Sequence, residues 1–348
     1  MMIEKMKKKT ITNIIENNFK EYAIYTLENR GIPSFYDSLT NVQRLILLNT
    51  PLKSTKTLSV VGECIKSGYH HGDSSCSGAI NKLARPVGCS FNILEGDGFF
   101  GSPLNFVAAQ PRYTSVKLSS YTNQIIQELK FLNTKDDEGN YNSLNVYFPL
   151  GLLTSILGIA VGYQTKILPR KKEEIEKFLN DKKANLSPYF KNFKGKISVY
   201  NKLTNSWLIE GEIILDEENK NIQIKSIPPL MQYKSFIRKL DKLLYEEDVI
   251  VETKSQDNVD INIKIRNTED WNELKERIIK YTKLIVKENI IFIKDGKVLE
   301  YECIEDYLTD FKIKNKLLNY EKMNYILNED NKTLEFLKYK KTFFEFIR

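Results

Sequence analysis

The chain has 348 residues, enough for two or three domains of ordinary size and a sizeable core. With 52 Lys and Arg against 45 Asp and Glu it carries a formal net charge of +7, which suits a partner of negative charge without specifying one. Its 19 Tyr and 18 Phe exclude a disordered tail, and the charged opening MMIEKMKKKT, with no apolar run behind it, excludes a signal peptide.

Ile11, Ile14, Ile15 and Phe19 recur at helical spacing, which predicts a helix over 11–29 that ends at the Gly31 and Pro33 of GIPSFYDSLT. NVQRLILLNT, Asn41 to Thr50, is again helical. STKTLSVVGECIKSG follows, with Ser54 or Thr55 as its N-cap and Gly68 as its stop, and then GDSSCSGAINKLAR with Asp73 capping it. Two helices joined by a tight turn, then β material carrying a GDGFFGS turn, is the order of a helix-turn-helix with a wing. The run from Gly139 to Thr165 has no charge and the length of a membrane span, but Pro149, Gly151, Gly158 and Gly162 break it into short buried strands and turns. A soluble, intracellular protein is expected, and the four cysteines, none at C-x-x-C spacing, read as free thiols rather than as a zinc site on Cys64, Cys76 and His70. Beyond Lys166, LPRKKEEIEKFLNDKKANL reads as a charged helix, and the alternation from Lys194 to Lys264 as antiparallel strands. WNELKERIIKYTKLI returns to helix, NIIFIKDGKVLEY to a hairpin turning at Asp295-Gly296, and the residues from Ile304 onward to one long helix that calls for a coiled-coil arm or a partner.

Two places carry chemistry. In VAAQPRYTSVKL, Arg112 stands beside Tyr113; a phenol is idle near neutral pH, and a guanidinium next to it favours the phenolate and neutralises phosphodiester oxyanions. In SGYHHGDSS the only two histidines, His70 and His71, sit ahead of a helix whose free N–H groups attract anions. Each feature alone is equally an ordinary surface pair or a polar loop.

Five blocks in order change that reading: ENRGIPSFYDSLTNVQRLIL, YHHGDSSCSGAINKLAR, GDGFFGSPLNFVAAQPRYTSVKL, GIAVGYQTKILPR and SPYFKNFKGKI. Together they resemble the breakage-reunion subunit of type IIA DNA topoisomerases, the phage form most, over roughly residues 20–345. The resemblance implies an α+β protein: a basic helical arm over 1–25, a winged-helix (CAP-like) DNA-cleavage domain over 26–165, a strand-rich tower over 166–302 and the start of a coiled-coil helix over 303–348, with the exit gate beyond it missing. It implies that Tyr113 is the nucleophile that forms a 5′-phosphotyrosyl bond, that Arg112 and Arg30 stabilise the reacting phosphate, that His70, His71, Arg44 and Arg170 contact DNA, and that Ile167 wedges between base pairs. Some positions depart from the family pattern: DSLTN replaces DGLKP, and Gly78 stands where an acidic residue follows Ser74 by one turn. The chain has no G-x-x-x-x-G-K loop and no D-x-D cluster, so the resemblance implies that ATP and Mg²⁺ are held by a separate ATPase/toprim subunit, and that two copies of this chain cut the two strands of duplex DNA in the cytoplasm. No DNA-wrapping domain is recognised, so gyrase-like supercoiling is not expected. The rival reading is a winged-helix DNA-binding protein that keeps the fold without the chemistry.

Overall fold

The computed structural model describes residues 19–127, 143–245, 247–266 and 271–347. The expected helical residues 11–18 and the basic opening lie outside the described residues. Helix α1 (Lys20–Thr26) runs into a π-type turn, Leu27–Gly31, and the extended Ile32 ends it. Helix α2 (Asn41–Asn49) opens on a capping box in which the Gln43 side chain accepts from the Thr40 N–H at 2.9 Å. Helices α3 (Thr57–Lys66) and α4 (Asp73–Ala84) form the helix-turn-helix. Neither starts on the expected cap. Thr55–Lys56 is instead strand β1, because it pairs with β3 (Ser115–Leu118) in a sheet that β2 (Leu94–Asp97) completes in the order β1-β3-β2. At α4 the cap position belongs to Gly72, whose φ of 84° is a backbone that glycine adopts without strain. Asp73 is the first helical residue, where the helix dipole favours its charge, and it accepts from the Ser74 N–H at 2.8 Å.

Helix α5 (Ser120–Gln127) leads out of the wing, and a 3₁₀ turn at Leu150–Leu153 precedes the hairpin of β4 (Ile156–Ala160) and β5 (Tyr163–Ile167). Among the described residues no helix is long and apolar enough to cross a membrane. The hairpin lies directly against the π-type turn. A Cβ on Gly158 would sit 1.7 Å from the Gly31 carbonyl oxygen, and one on Gly31 would sit 2.6 Å from that of Ile159. Only a glycine on each side allows this backbone-to-backbone contact.

After α6 (Lys172–Leu179) come two antiparallel sheets. One holds β6 (Lys196–Asn201), β7 (Ser206–Glu210) and β12 (Lys283–Lys287) in the order β12-β7-β6. The other holds β8 (Ile213–Asp216), β9 (Asn221–Ile224), β10 (Val249–Thr253) and β11 (Ile261–Ile265) in the order β10-β11-β9-β8. Its core is closed by α7 (Tyr233–Leu244) and α8 (Trp271–Tyr281), which contribute Phe236, Leu240, Trp271, Leu274 and Ile278. Two elements differ from the sequence reading. Helix α7 lies in a stretch expected to be all strand, and residues 283–285, expected as the end of a helix, belong to β12 (Lys283–Lys287), because β7 pairs with it along all five residues.

Strands β13 (Ile290–Lys294) and β14 (Lys297–Tyr301) form the expected hairpin, with Asp295 at φ 50° and Gly296 at φ 72°, the two left-handed residues of a type I′ turn. Helix α9 (Ile304–Ile347) then runs for 44 residues. Its first turns return to the core of the winged-helix region. Phe292 stacks on Tyr307 with centroids 4.1 Å apart, and Phe35 and Phe311 close the same aromatic cluster. The Tyr307 hydroxyl donates to the Phe35 carbonyl at 3.0 Å and meets Ser38 Oγ at 2.6 Å. The fold is α+β.

Candidate active site

Tyr113 sits at the end of the wing loop, two residues before β3. The register is set by its neighbour: Thr114 is fully buried, with its hydroxyl 2.8 Å from that of Thr57 and its carbonyl accepting from the Thr57 N–H at 3.0 Å. The Leu58 N–H donates to the Pro111 carbonyl at 3.3 Å, so the loop is pinned to the start of α3 on both sides of Arg112. Alternation then turns Tyr113 outward, where 70% of it is exposed. The Arg112 guanidinium carbon lies 5.8 Å from the Tyr113 ring centroid, and both side chains face solvent. A cleft of about 350 Å³ separates Gln110–Arg112 from Asp73, Ser74 and Ser77 at the start of α4.

A second pair forms across the π-type turn and the helix-turn-helix loop. Arg30 Nη2 lies 3.0 Å from Nδ1 of His71. His71 has its pKa lowered from the ordinary histidine value, first by partial burial and then by the positive charges of Arg30 and His70, so the neutral ring is favoured. His70 is exposed beside it. The close contact of Gly31 with β4 fixes the backbone that carries Arg30. Among the described residues no hydrogen bond, ion pair or ring contact joins the Arg112–Tyr113 pair to the Arg30–His71 pair.

Three side chains expected at the DNA surface are placed elsewhere. Arg44 is only 4% exposed and is committed to Asp37, with Nε donating at 2.8 Å and Nη2 at 3.2 Å, and a third bond to the Leu39 carbonyl. Asp37 also accepts from the N–H groups of Leu39 and Leu144, so this guanidinium neutralises a buried hub. Arg170 is likewise buried: Glu288 accepts from it at 2.7 and 3.0 Å, and from Trp207 Nε1 and the Leu168 N–H. Ile167 is 0% exposed, since the pleat of β5 turns Thr165 and Ile167 into the core. Leu157 and Ile159 are the exposed aliphatics of that hairpin. Among the described residues no group of three His, Cys, Asp or Glu side chains is placed to hold a metal, and the described cysteines are free, three of them buried.

The model of the DNA gyrase/topoisomerase IV A-type family matches residues 30–347. The chain is 26% identical over 330 residues to the DNA topoisomerase medium subunit of Enterobacteria phage T4, covering 88% of this chain and 74% of that one. It is 32% identical over 179 residues to the A-type chain of DNA topoisomerase 4 from Salmonella typhimurium, covering 47% of this chain and 23% of the relative. The DNA-binding, cleavage and re-ligation domain of Plasmodium falciparum topoisomerase II superposes with a TM-score of 0.81 at 23% identity, over 91% of this chain and 47% of that one. The fold is thus that of a type II topoisomerase cleavage domain. Within that class, the chain belongs to the DNA gyrase/topoisomerase IV A-type family.

Proposed function

We propose that this chain is the DNA-cleaving and rejoining subunit of a type IIA topoisomerase, with Tyr113 as its nucleophile. The observation that carries the proposal is a tyrosine held 70% exposed by a buried neighbour, with a guanidinium 5.8 Å from its ring. The Tyr113 oxygen attacks a backbone phosphorus and loses its proton to water. A P–O bond to tyrosine forms as the P–O3′ bond breaks, and the departing 3′ oxygen takes up a proton. The reverse attack by that 3′-hydroxyl reseals the strand, because the ester energy is retained in the phosphotyrosyl link. Arg112, and Arg30 held by His71, place positive charge where the phosphorane oxygens develop negative charge, an effect typically worth about 3 kcal/mol per donor. His70 lies exposed for phosphate contact.

The family chemistry uses Mg²⁺. Among the described residues no group of three His, Cys, Asp or Glu side chains is placed to hold such an ion, and on the proposed reading a separate ATPase/toprim subunit would supply its ligands and the ATP site. A second copy of the chain supplies the second tyrosine, and duplex DNA is the substrate.

The test is detergent trapping of covalent protein–DNA adducts on plasmid DNA, in the presence and absence of Mg²⁺ and the ATPase/toprim subunit. The wild-type chain gives adducts only in the complete mixture. Tyr113→Phe gives none and still shifts duplex DNA in a gel. Adducts from Tyr113→Phe would move the nucleophile elsewhere, and their absence from wild type would leave the winged-helix binding protein as the better reading.

A further inference from the structure

Tyr25, on α1, makes three contacts around the Arg30–His71 pair that the sequence did not announce. Its hydroxyl oxygen lies 3.4 Å from Nε2 of His71. Its ring meets the imidazole edge-on with centroids 6.5 Å apart, and the Arg30 guanidinium carbon stands 5.9 Å from its ring centroid. On the other side Tyr69 meets the imidazole edge-on at 5.5 Å and is itself fixed by donating to Ser75 Oγ at 2.9 Å.

The hydrogen-bond roles follow from the donor inventory. Arg30 lies along the imidazole, with Nη2 3.0 Å from Nδ1 and Nε 3.4 Å from Nε2. A guanidinium only donates, and a neutral imidazole has one nitrogen that accepts. The shorter contact gives the accepting role to Nδ1. The ring proton is then on Nε2, and Tyr25 Oη is its acceptor. Protonating His71 would place a proton on Nδ1, facing Arg30, and break the pair.

We propose that Tyr25 is a positioning residue of the cleavage site: by accepting from Nε2 it fixes the tautomer and rotation of His71, which in turn holds the Arg30 guanidinium for the reacting phosphate. This rests on the function proposed above. The groups around the imidazole are Arg30 from the π-type turn, Tyr25 from α1, and His70 and Tyr69 from its own loop. Burial, Arg30 and His70 all favour the neutral ring that the relay needs. Tyr25→Phe keeps the ring contacts and removes only the acceptor, which frees the imidazole to turn over.

The chain has only 2 histidines, so ¹⁵N-labelled imidazole spectra of the isolated chain give two sets of signals, assigned with a His70→Gln variant. In wild type His71 carries its proton on Nε2 and titrates below the ordinary histidine value. In Tyr25→Phe both tautomers appear. A wild-type proton on Nδ1, or a tautomer unmoved by Tyr25→Phe, overturns the proposal. In the complete cleavage mixture, Tyr25→Phe slows adduct formation about five-fold, the loss of one neutral hydrogen bond, and adds no further slowing in a His71→Ala background. Equal slowing in both backgrounds would place Tyr25 outside the relay. The spectra need no DNA cleavage, so a failure of the functional reading shows as a wild type without adducts while the histidine signals still report on Tyr25.

Discussion

Arg44 and Arg170 show how much a basic side chain's role depends on a partner elsewhere in the fold. Glu288 is 118 residues from Arg170 and accepts four hydrogen bonds in a site that is almost fully enclosed. Removing one member of such a pair leaves the other buried and uncompensated, at a cost of about 3–5 kcal/mol. Glu288→Ala and Asp37→Ala are therefore each expected to lower the unfolding free energy by that amount in urea titrations. Neither should alter duplex affinity at temperatures where the variant stays folded. Loss of DNA affinity from Arg44→Ala, with stability intact, would contradict the structural role argued here. The same residues mark the limit of reading roles from sequence. Tyr113, Arg112 and the histidine pair stand out because phenol, guanidinium and imidazole groups fall next to one another in the chain. Arg44, Arg170 and Ile167 look like surface or groove residues until tertiary pairing buries them. Tyr25 gave no signal, because its significance lies in a histidine 46 residues away.

Among elements, the contact between the Arg30 turn and β4 is the least forgiving. A methyl group at Gly158 would occupy the place of the Gly31 carbonyl. Gly158→Ala is expected to cost on the order of 3 kcal/mol, read as a lowered thermal midpoint, and to slow DNA cleavage by displacing Arg30. At the base of α9, burial pushes Lys314 down to about 7; Asp37 opposes that shift and Lys294 adds to it. In the unfolded chain this amine titrates near 10.5. Between those values the unfolded state holds the extra proton, so the Lys314 contribution to stability rises with pH through that window and is constant below it. Lys314→Met should then stabilise the protein at pH 7 and flatten the difference in thermal midpoint between pH 7 and pH 10; a variant less stable than wild type at pH 7 would show that the bond from Lys314 to the Val146 carbonyl outweighs the burial. The helices of the helix-turn-helix and the Asp295-Gly296 hairpin were legible because their periodicity and turn residues are local. Helix α7 carried a helical signal in Phe236, Leu240 and Leu243, which the surrounding strand alternation hid, and β12 is a strand only because β7 claims it.

For the whole molecule, a net charge of +7 and exposed Arg30 and Arg112 predict binding to duplex DNA that is governed by counterion release. For Tyr113→Phe, a plot of log affinity against log salt should have a slope of about −2, roughly one unit for each of the two guanidinium groups. A flat plot would argue against a phosphate-lined surface. The base of α9 is clamped by Tyr307, Leu308 and Phe311, while side chains from Tyr320 onward are largely solvated. A 44-residue helix extends about 66 Å at 1.5 Å per residue. A tilt of about 5° at the clamp would sweep its far end through roughly 6 Å over that length. Tyr307 is tied to Ser38, in the segment that follows the Arg30 turn, so the helix is built as a lever whose short end is anchored beside that turn.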